Sequence, residues 1–304
     1  MPLSHVLPRM TVSLPRGAAG VAAAGVGALA YAAGFEVRAY RLRRVRVPVL
    51  RRGSRPLRVL HLTDLHLTPG QRRKQAWVRS LAALEPDLVI DTGDNLAHAE
   101  AVPFALGALA PLLDHPGAFV LGSNDYWAPR PKNPARYLRP TERRRLGQPL
   151  PWNDLRDGLS ASGWCDLGNA RTRLTVRGLD LELVGVDDPH IRRDRYDRVA
   201  GPADATADLT IGVTHAPYRR VLDAMAADRI PLILAGHTHG GQLCLPPWGA
   251  LTTNCDLPLR QAKGLSHWGD ALLHVSAGLG TSPYAPVRFA CPPEATLLTL
   301  VARD

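Results

Sequence analysis

The sequence contains little cysteine and no cysteine pair with the spacing of a metal or redox motif. The four cysteines, Cys165, Cys244, Cys255 and Cys291, lie far apart in the chain. The absence of a C-x-x-C pair argues against a zinc knuckle or a thioredoxin-like motif. An internal repeat is also absent, which argues against a solenoid or a propeller. An even cysteine count is compatible with disulfides in an exported protein and with buried thiols in the cytosol, so these residues leave the compartment open.

Acidic residues are scarce in two segments, and this scarcity explains the formal net charge of +10. Residues 36–58 contain nine arginines and one acid, and residues 128–151 contain seven basic residues and one acid. The rest of the chain is mildly acidic, so we do not expect a nucleic-acid-binding surface. Residues 128–151 are predicted to be a basic surface insertion, which either binds an anionic head group or is a solvated loop.

One uncharged segment, residues 17–35, has 19 residues, about the length of a membrane-spanning helix. We therefore predict an N-terminal basic segment and membrane anchor helix over residues 1–36, and a polybasic juxtamembrane linker over residues 37–56. Because two arginines precede the segment and nine follow it, the domain after it is expected at the cytoplasmic face of the cell membrane. The alternative is a signal peptide cleaved after Ala28-Leu29-Ala30, which would give an exported domain.

From residue 57 onward, short apolar runs alternate with stretches of helical periodicity. Residues 59–62, 87–90 and 118–121 are typical of buried strands, and helices are predicted over residues 71–84 and 102–113. This order favours parallel strands joined by helical crossovers. Further strand patterns follow in the second half of the chain. We expect two stacked sheets flanked by helices over residues 57–304.

Polar side chains directly follow five of these apolar runs. They are Asp64 and His66, Asp94, Asn124, His215, and finally His237 and His239. We expect them to converge, because ligands bind at the carboxyl ends of strands in open α/β sheets. Carboxylate oxygen together with imidazole nitrogen suits Mn, Fe or Zn better than Ca. Two such ions about 3.5–4 Å apart polarise phosphoryl oxygens and generate hydroxide from bound water.

These motifs resemble the calcineurin-like metallophosphoesterase family. The matching segments are Asp64-x-His66, Gly93-Asp94-Asn95, residues 122–125, His215 and Gly236-His237-x-His239. Residues 275–280 and 288–294 are similar to the membrane-attached bacterial phosphodiesterase branch of that family. The resemblance implies an α/β fold, namely a four-layer α-β-β-α sandwich of two mixed sheets, here preceded by one N-terminal transmembrane helix.

The resemblance also implies two divalent metal ions and the residues that hold them. Asp64, His66 and His239 would bind the first ion, His215 and His237 the second, and Asp94 would bridge the two. Asp94, Asn124 and His237 are predicted to take part in catalysis.

One motif departs from the family pattern, because Gly-Asn-His-Asp/Glu is here Gly122-Ser123-Asn124-Asp125. Either Ser123 or Asn124 would then bind the second ion. The histidine that helps to protonate the leaving group is missing, a loss that typically costs about 10²–10⁴-fold in rate. His98 and His190 are candidate replacements.

The predicted function is therefore metal-dependent hydrolysis of a phosphodiester or pyrophosphate by a metal-bound hydroxide. The expected substrate is an anionic phosphoester on a membrane lipid or another amphipathic molecule. A membrane-tethered protein that binds metal or phosphate with little turnover is the alternative, motivated by the missing histidine. A nuclease is a third alternative, since nucleases share this fold.

Overall fold

A computed structural model describes residues 16–131 and 146–303 of the chain. The α-helices are α1 (Arg16–Ala30), α2 (Arg72–Ser80), α3 (Val102–Leu109), α4 (Ser123–Tyr126), α5 (Trp152–Ala161) and α6 (Arg219–Ala227). The strands are β1 (Arg41–Leu50), β2 (Leu57–Leu62), β3 (Leu88–Asp91), β4 (Gly117–Phe119), β5 (Cys165–Asp166), β6 (Ala170–Val176), β7 (Leu179–Gly185), β8 (Leu209–Thr214), β9 (Leu232–Ala235), β10 (Cys244–Leu245), β11 (Gly249–Ala250), β12 (Gly264–Trp268), β13 (Ala271–Val275) and β14 (Glu294–Ala302).

Twelve of these strands form two six-stranded mixed sheets, as the resemblance implied. The order in the first sheet is β1-β14-β2-β3-β4-β5, and in the second it is β12-β13-β9-β8-β7-β6. Strands β2 to β5 run parallel to one another, and so do β7, β8, β9 and β13. The shortest pair, β10 and β11, forms a separate antiparallel hairpin.

Apolar side chains between and outside the sheets build the layers. Val59 and Ile90 of the first sheet pack with Ile211 and Leu234 of the second in the core between them. Helices α2, α3 and α5 cover the outer face of the first sheet, and α6 covers the second. Burial of each such Val, Leu or Ile side chain contributes about 1.5–3 kcal/mol, so the two sheets form one stable unit.

The helices over the outer faces follow the apolar periodicity of their sequences. In α5, Leu155 and Leu159 lie four residues apart and are buried, whereas Arg156 and Asp157 face solvent. A spacing of four places both leucines on one side of a helix.

The predicted transmembrane helix is wrong for the residues that the structure describes. Helix α1 has 15 residues and continues into a single π-helical turn, Tyr31–Phe35. Within residues 16–131 and 146–303, no helix has the length and apolar character needed to cross a membrane. Residues 1–15 of the predicted anchor lie outside the described residues.

The segment predicted as a linker, residues 37–56, contains strand β1. This strand pairs in parallel with β14 along its length. Val47, Val49 and Leu50 point into the core between the sheets, whereas Arg44 and Arg46 are exposed. The basic run is therefore the solvent-facing side of an edge strand, where charged side chains oppose pairing with other chains.

A pair of buried histidines connects the two sheets. The Nδ1 atoms of His61 on β2 and His274 on β13 are 3.0 Å apart, and Nε2 of His61 lies 3.0 Å from Oγ1 of Thr92. Burial lowers the pKa of His61 well below its usual value and the pKa of His274 to about 4. Both rings are therefore neutral at neutral pH, and one donates its hydrogen to the other.

This pair predicts that the free energy of unfolding falls as the pH decreases from about 6.5 to about 4. Below pH 6.5 the unfolded histidines take up protons that the folded pair does not accept, so the stability that is fully present above pH 6.5 is progressively lost. For His274 the loss is about 3 kcal/mol at pH 4. Urea unfolding across this pH range should show a steeper decline for the native chain than for the variant His61→Leu/His274→Leu. Equal slopes would contradict the prediction.

Candidate metal centre

Loops after strands of both sheets meet at one end of the sandwich. Asp64 and His66 follow β2, Asp94 follows β3, His215 follows β8, and His237 and His239 follow β9. Backbone hydrogen bonds join these loops: the N–H of Asp64 donates to the carbonyl of Gly93, and the N–H of Gly236 donates to the carbonyl of His215. The structure thus brings together all six of the predicted aspartates and histidines.

Asp64, His66 and His239 form a first group of potential metal ligands, whose ligand atoms lie within 4.8 Å of one another. The Nε2 atoms of His66 and His239 are 3.2 Å apart. Oδ1 of Asp64 is 3.5 Å from Nε2 of His239 and 3.8 Å from Nε2 of His66. Three donor atoms therefore point at one position.

Asp64, Asp94 and His215 form a second group of the same kind. Oδ2 of Asp94 lies 3.4 Å from Nε2 of His215 and 3.6 Å from Nε2 of His66 in the first group. The carboxylate of Asp94 is therefore placed between the two groups. His237 adjoins the second group, with its Nδ1 atom 3.3 Å from Nε2 of His215.

The surroundings of these donors fit metal ions. Oδ1 of Asp64 is buried and accepts no hydrogen bond from any residue in the described part of the chain. Nδ1 of His215 lies 2.7 Å from the carbonyl of Thr92, and Nδ1 of His239 lies 3.0 Å from the carbonyl of Gly280. Each ring donates its Nδ1 hydrogen to that carbonyl, which leaves the lone pair of Nε2 directed at the centre.

The protonation states of Asp94 and His239 also favour cation binding. Burial opposes ionisation of Asp94, but the imidazole of His215 holds the pKa of the Asp94 carboxyl well below its usual range. Although burial acts against the charged form of His215, Asp94 raises its pKa, so a metal ion would have to displace a proton from this ring. Burial lowers the pKa of His239 to about 4. An ionised carboxylate and a neutral imidazole are the forms that bind metals.

The backbone at this site is strained. Asp64, His66, Asp94, His237 and His239 all have positive φ angles, between 43° and 69°. Residues other than glycine seldom adopt this conformation, which costs on the order of 1–3 kcal/mol each and is common at functional sites. Five such residues in one cluster indicate that the loops are shaped for ligand geometry rather than for stability.

Asn124 contacts the carboxylate that lies between the two groups. Its backbone N–H donates to Oδ1 of Asp94 and its side-chain amide donates to Oδ2, both at 2.6 Å. Asp125 fixes the same turn by accepting four backbone N–H groups, those of Asp94, Asn95, Leu96 and Gly122. The neighbouring Ser123 is buried and lines a cleft beside the metal centre. Ser123 and Asn124, the two candidate ligands in the motif that differs from the family pattern, are therefore both at the site.

Gly122 leaves room for the carboxylate of Asp94, and we expect Gly122→Ala to weaken metal binding by about 10–100-fold. A Cβ atom there would collide with Oδ1 of Asp94 and lie 2.7 Å from two ring atoms of His215. Gly107→Ala on α3 is the matched control, because a Cβ at that position meets nothing within 4 Å. Metal content after dialysis against a range of free Zn²⁺ or Mn²⁺ measures the effect. Equal affinities for the two variants would contradict the expectation.

A cleft beside the centre distinguishes the two candidate replacements for the missing histidine. His190 lines this cleft, and its ring centroid is 4.2 Å from that of His237. Nδ1 of His190 lies 2.9 Å from the hydroxyl of Tyr218. His98 is exposed and does not line the cleft; its Nδ1 accepts a hydrogen bond from the N–H of Glu100. The structure therefore brings His190, and not His98, to the site.

The flanks of the basic insertion form another wall of the cleft. Trp127, Arg130 and Leu146 line it, and the N–H of Ala128 donates to the carbonyl of Gln148 at 2.8 Å. Residues 132–145 of the predicted insertion lie outside the described residues. The described flanks thus add one cationic and two apolar side chains to the site.

Arg288 is a residue whose importance the sequence did not reveal. Its guanidinium is fully buried and donates to the carbonyls of Ala277, Gly278 and Gly280. It also lies 3.3 Å from Nδ1 of His239. The only sequence signal was an arginine within the C-terminal motif at residues 288–294, which does not show where its side chain lies.

Residues 57–241 match the profile of the calcineurin-like phosphoesterases. The chain belongs to this family. The calcineurin-like phosphoesterase assignment predicted from the five motifs is therefore confirmed, and the protein is a metal-dependent phosphoester hydrolase. Its family uses divalent metals at a binuclear site, in agreement with the two ligand groups. The membrane-attached branch stays a prediction.

Several relatives of this phosphoesterase match most of its length. Phosphodiesterase YaeI of Escherichia coli is 27% identical and covers 86% of this chain and 88% of its own. The uncharacterized metallophosphoesterase YkoQ of Bacillus subtilis is 26% identical and covers 79% of this chain and 82% of its own. A transmembrane protein with a metallophosphoesterase domain from Bos taurus is 28% identical over 66% of this chain and 44% of its own.

Proposed function

We propose that this protein hydrolyses a phosphodiester or pyrophosphate at a centre of two divalent metal ions. The observation that supports it best is the overlap of the ligand groups, since Asp64 belongs to both and Asp94 lies between them. When bound there, two ions such as Mn, Fe or Zn polarise phosphoryl oxygens and supply an activated water.

Each residue of the centre has a proposed role. Asp64, His66 and His239 hold the first ion, and His215 and His237 hold the second, with Asp94 shared between them. Asn124 holds the carboxylate of Asp94 through two hydrogen bonds, and it also lines the cleft. Asp94, Asn124 and His237 line the cleft, as do His66 and His239, and we propose that the first three take part in catalysis.

The side chains that line the cleft favour an amphipathic substrate. Arg130 offers a positive charge to a phosphoryl group, whereas Trp127 and Leu146 offer apolar surface to the rest of the molecule. The names of two relatives, a phosphodiesterase and a transmembrane protein, agree with a phosphodiester located at a membrane. We therefore propose a membrane lipid or a related amphipathic phosphoester as the substrate.

We assign protonation of the leaving group to His190, because it lines the cleft and contacts His237. His190→Ala is expected to slow hydrolysis of an alkyl phosphodiester by about 10²-fold, since a poor leaving group needs a proton. Hydrolysis of bis(p-nitrophenyl) phosphate should change much less, because nitrophenolate leaves without one. The ratio of the two rates measures the effect, with His98→Ala as the control. An equal loss with both substrates would refute this role.

The function itself is tested by hydrolysis of bis(p-nitrophenyl) phosphate by the full chain. We expect nitrophenolate release with added Mn²⁺, none with EDTA, and two metal ions per chain in the active sample. Two bound ions without turnover would instead support the metal-binding alternative, which the asparagine at position 124 motivates. A chain that binds no metal under any condition would overturn the proposal.

A further inference from the structure

An exposed apolar surface lies on the hairpin of β10 and β11. Leu243, Leu245, Trp248 and Leu251 are large apolar residues within nine positions, and their exposed fractions are 42%, 47%, 83% and 54%. A contiguous apolar patch on a protein surface usually marks an interaction site. Trp248 lies at the tip of the hairpin, where it contributes little to the core.

The N-terminal segment continues this surface through Phe289. The ring of Phe289 contacts the ring of Tyr31 edge-on at 6.3 Å, and Tyr31 in turn contacts Phe35 at 5.5 Å. The backbone of Phe289 pairs with the start of the hairpin, because its carbonyl accepts the N–H of Cys244. Tyr31 and Phe35 are exposed. We call Tyr31, Phe35, Leu243, Leu245, Trp248 and Leu251 the apolar face.

The N-terminal segment is held firmly against the domain at this point. The carboxylate of Glu36 is buried and accepts the N–H groups of Ala290 and Cys291 at 3.1 and 2.6 Å. The N–H of Arg288 donates to the carbonyl of Ala32. Tyr31 and Phe35 on the N-terminal segment are therefore held at a fixed position relative to the hairpin part of the apolar face.

Basic residues border the apolar face. An open cavity of about 390 Å³ is lined by Tyr31 and Phe289 together with Arg41, Arg43 and Lys263. Arg43 pairs with Glu294, and Glu36 is bound to backbone N–H groups. The carboxylates of Glu36 and Glu294 offset two of the three cationic charges at this cavity, which leaves it a small net positive charge. Apolar side chains beside cationic ones match the boundary between the acyl chains and the head groups of an anionic bilayer.

The apolar face also adjoins the metal centre. Gln242 precedes the hairpin and Asn254 follows it, and both line the cleft beside the centre. The side-chain amide of Gln242 donates to the carbonyl of Ala285 at 3.0 Å, which fixes the base of the hairpin. A surface that bound the hairpin would therefore lie next to the opening of the cleft.

We propose that the apolar face binds the surface of an anionic phospholipid bilayer, without crossing it, and brings the cleft to the head groups. This inference rests on the proposed function, because it supplies the route by which a membrane lipid reaches the centre. The apolar face contributes affinity because its side chains are buried in the bilayer. Each basic residue at its border strengthens binding to anionic lipid about fivefold. Salt should weaken the ionic part by screening.

Co-sedimentation of the full chain with phospholipid vesicles tests this proposal. We expect binding to vesicles of phosphatidylcholine with phosphatidylglycerol, and weaker binding to phosphatidylcholine alone. Leu245→Ser/Trp248→Ser should lower the partition coefficient by at least about tenfold. Phe104→Ser is the matched control, because it removes an exposed aromatic residue from α3, away from the apolar face. In the variant Arg41→Gln/Lys263→Gln, the preference for phosphatidylglycerol should decrease.

Hydrolysis of bis(p-nitrophenyl) phosphate in solution separates this inference from the proposed function. The hairpin variant should retain the native rate with this soluble substrate, because neither residue touches the centre. Vesicle binding that persists in the hairpin variant would overturn the proposal, as would a native chain that does not bind anionic vesicles. Concentration-dependent dimers that disappear in the hairpin variant, without vesicle binding, would show that the face is a subunit interface instead. If Arg41→Gln/Lys263→Gln left the preference for phosphatidylglycerol unchanged, the proposed role of the basic border would be refuted.

Discussion

Asp94→Ala is expected to lower kcat/KM for bis(p-nitrophenyl) phosphate by about 10³-fold, the effect of removing a principal electrostatic group from an active site. Asp94 lies 3.4 Å from His215 and 3.6 Å from His66, so its carboxylate serves both ligand groups. The alanine variant should also bind less than the full complement of metal. Steady-state kinetics and metal analysis on the same sample measure the two effects together.

Two further variants make this prediction specific. Asp114→Ala removes an exposed carboxylate outside the site and should leave both quantities unchanged. Asp94→Asn keeps the shape of the side chain and removes the charge, so it should lose most of the activity while the fold is maintained. Full activity in Asp94→Ala with both metals bound would exclude Asp94 from the reaction.

Arg288→Met is expected to lower the free energy of unfolding by about 3–5 kcal/mol, because each buried carbonyl that loses its donor costs about 1–3 kcal/mol. The substitution leaves the carbonyls of Ala277, Gly278 and Gly280 without this donor. Burial lowers the pKa of Arg288, so the charge is held in an unfavourable environment by these hydrogen bonds. Urea denaturation at neutral pH measures the change.

The same variant should weaken metal binding at the first ligand group by about 10–100-fold, because Arg288 supports the loop that orients His239. Arg79→Met is the control, since Arg79 is exposed and forms a single hydrogen bond to the carbonyl of Gly107. Its stability should change by no more than about 0.5 kcal/mol. If Arg288→Met were as stable as this control, the buried guanidinium would have no structural role.

The sequence by itself determined the two sheets and the six aspartates and histidines that the structure brings together. These features are local: a buried strand is a short apolar run, and its ligand follows within a few residues. Asp64 and His66 directly follow β2, and His215 directly follows β8. Parallel strands bring such positions to one end of a sheet whatever the details of packing. The family could be recognised for the same reason.

Tertiary structure alone decided the features that depend on distant partners. The basic run at residues 41–50 is a strand because β14, about 250 residues later, offers it a parallel edge. The alternation of Val45, Val47 and Val49 was the available signal, but the many arginines around them favoured a juxtamembrane linker. After α1 and its π-helical turn, Glu36 binds the loop at residues 288–291, a contact that no helical periodicity predicts.

The same reason explains the details of the centre. The sequence did not decide whether Ser123 or Asn124 is the metal ligand. Nor did it decide whether His98 or His190 replaces the missing histidine, because spacing along the chain does not measure distance between loops. Packing of the loops after different strands placed Asn124 on Asp94 and His190 beside His237. The guanidinium of Arg288 under His239 follows from the same packing. Residue types and their order were thus encoded locally, whereas the contacts between loops were set by the stacking of two sheets.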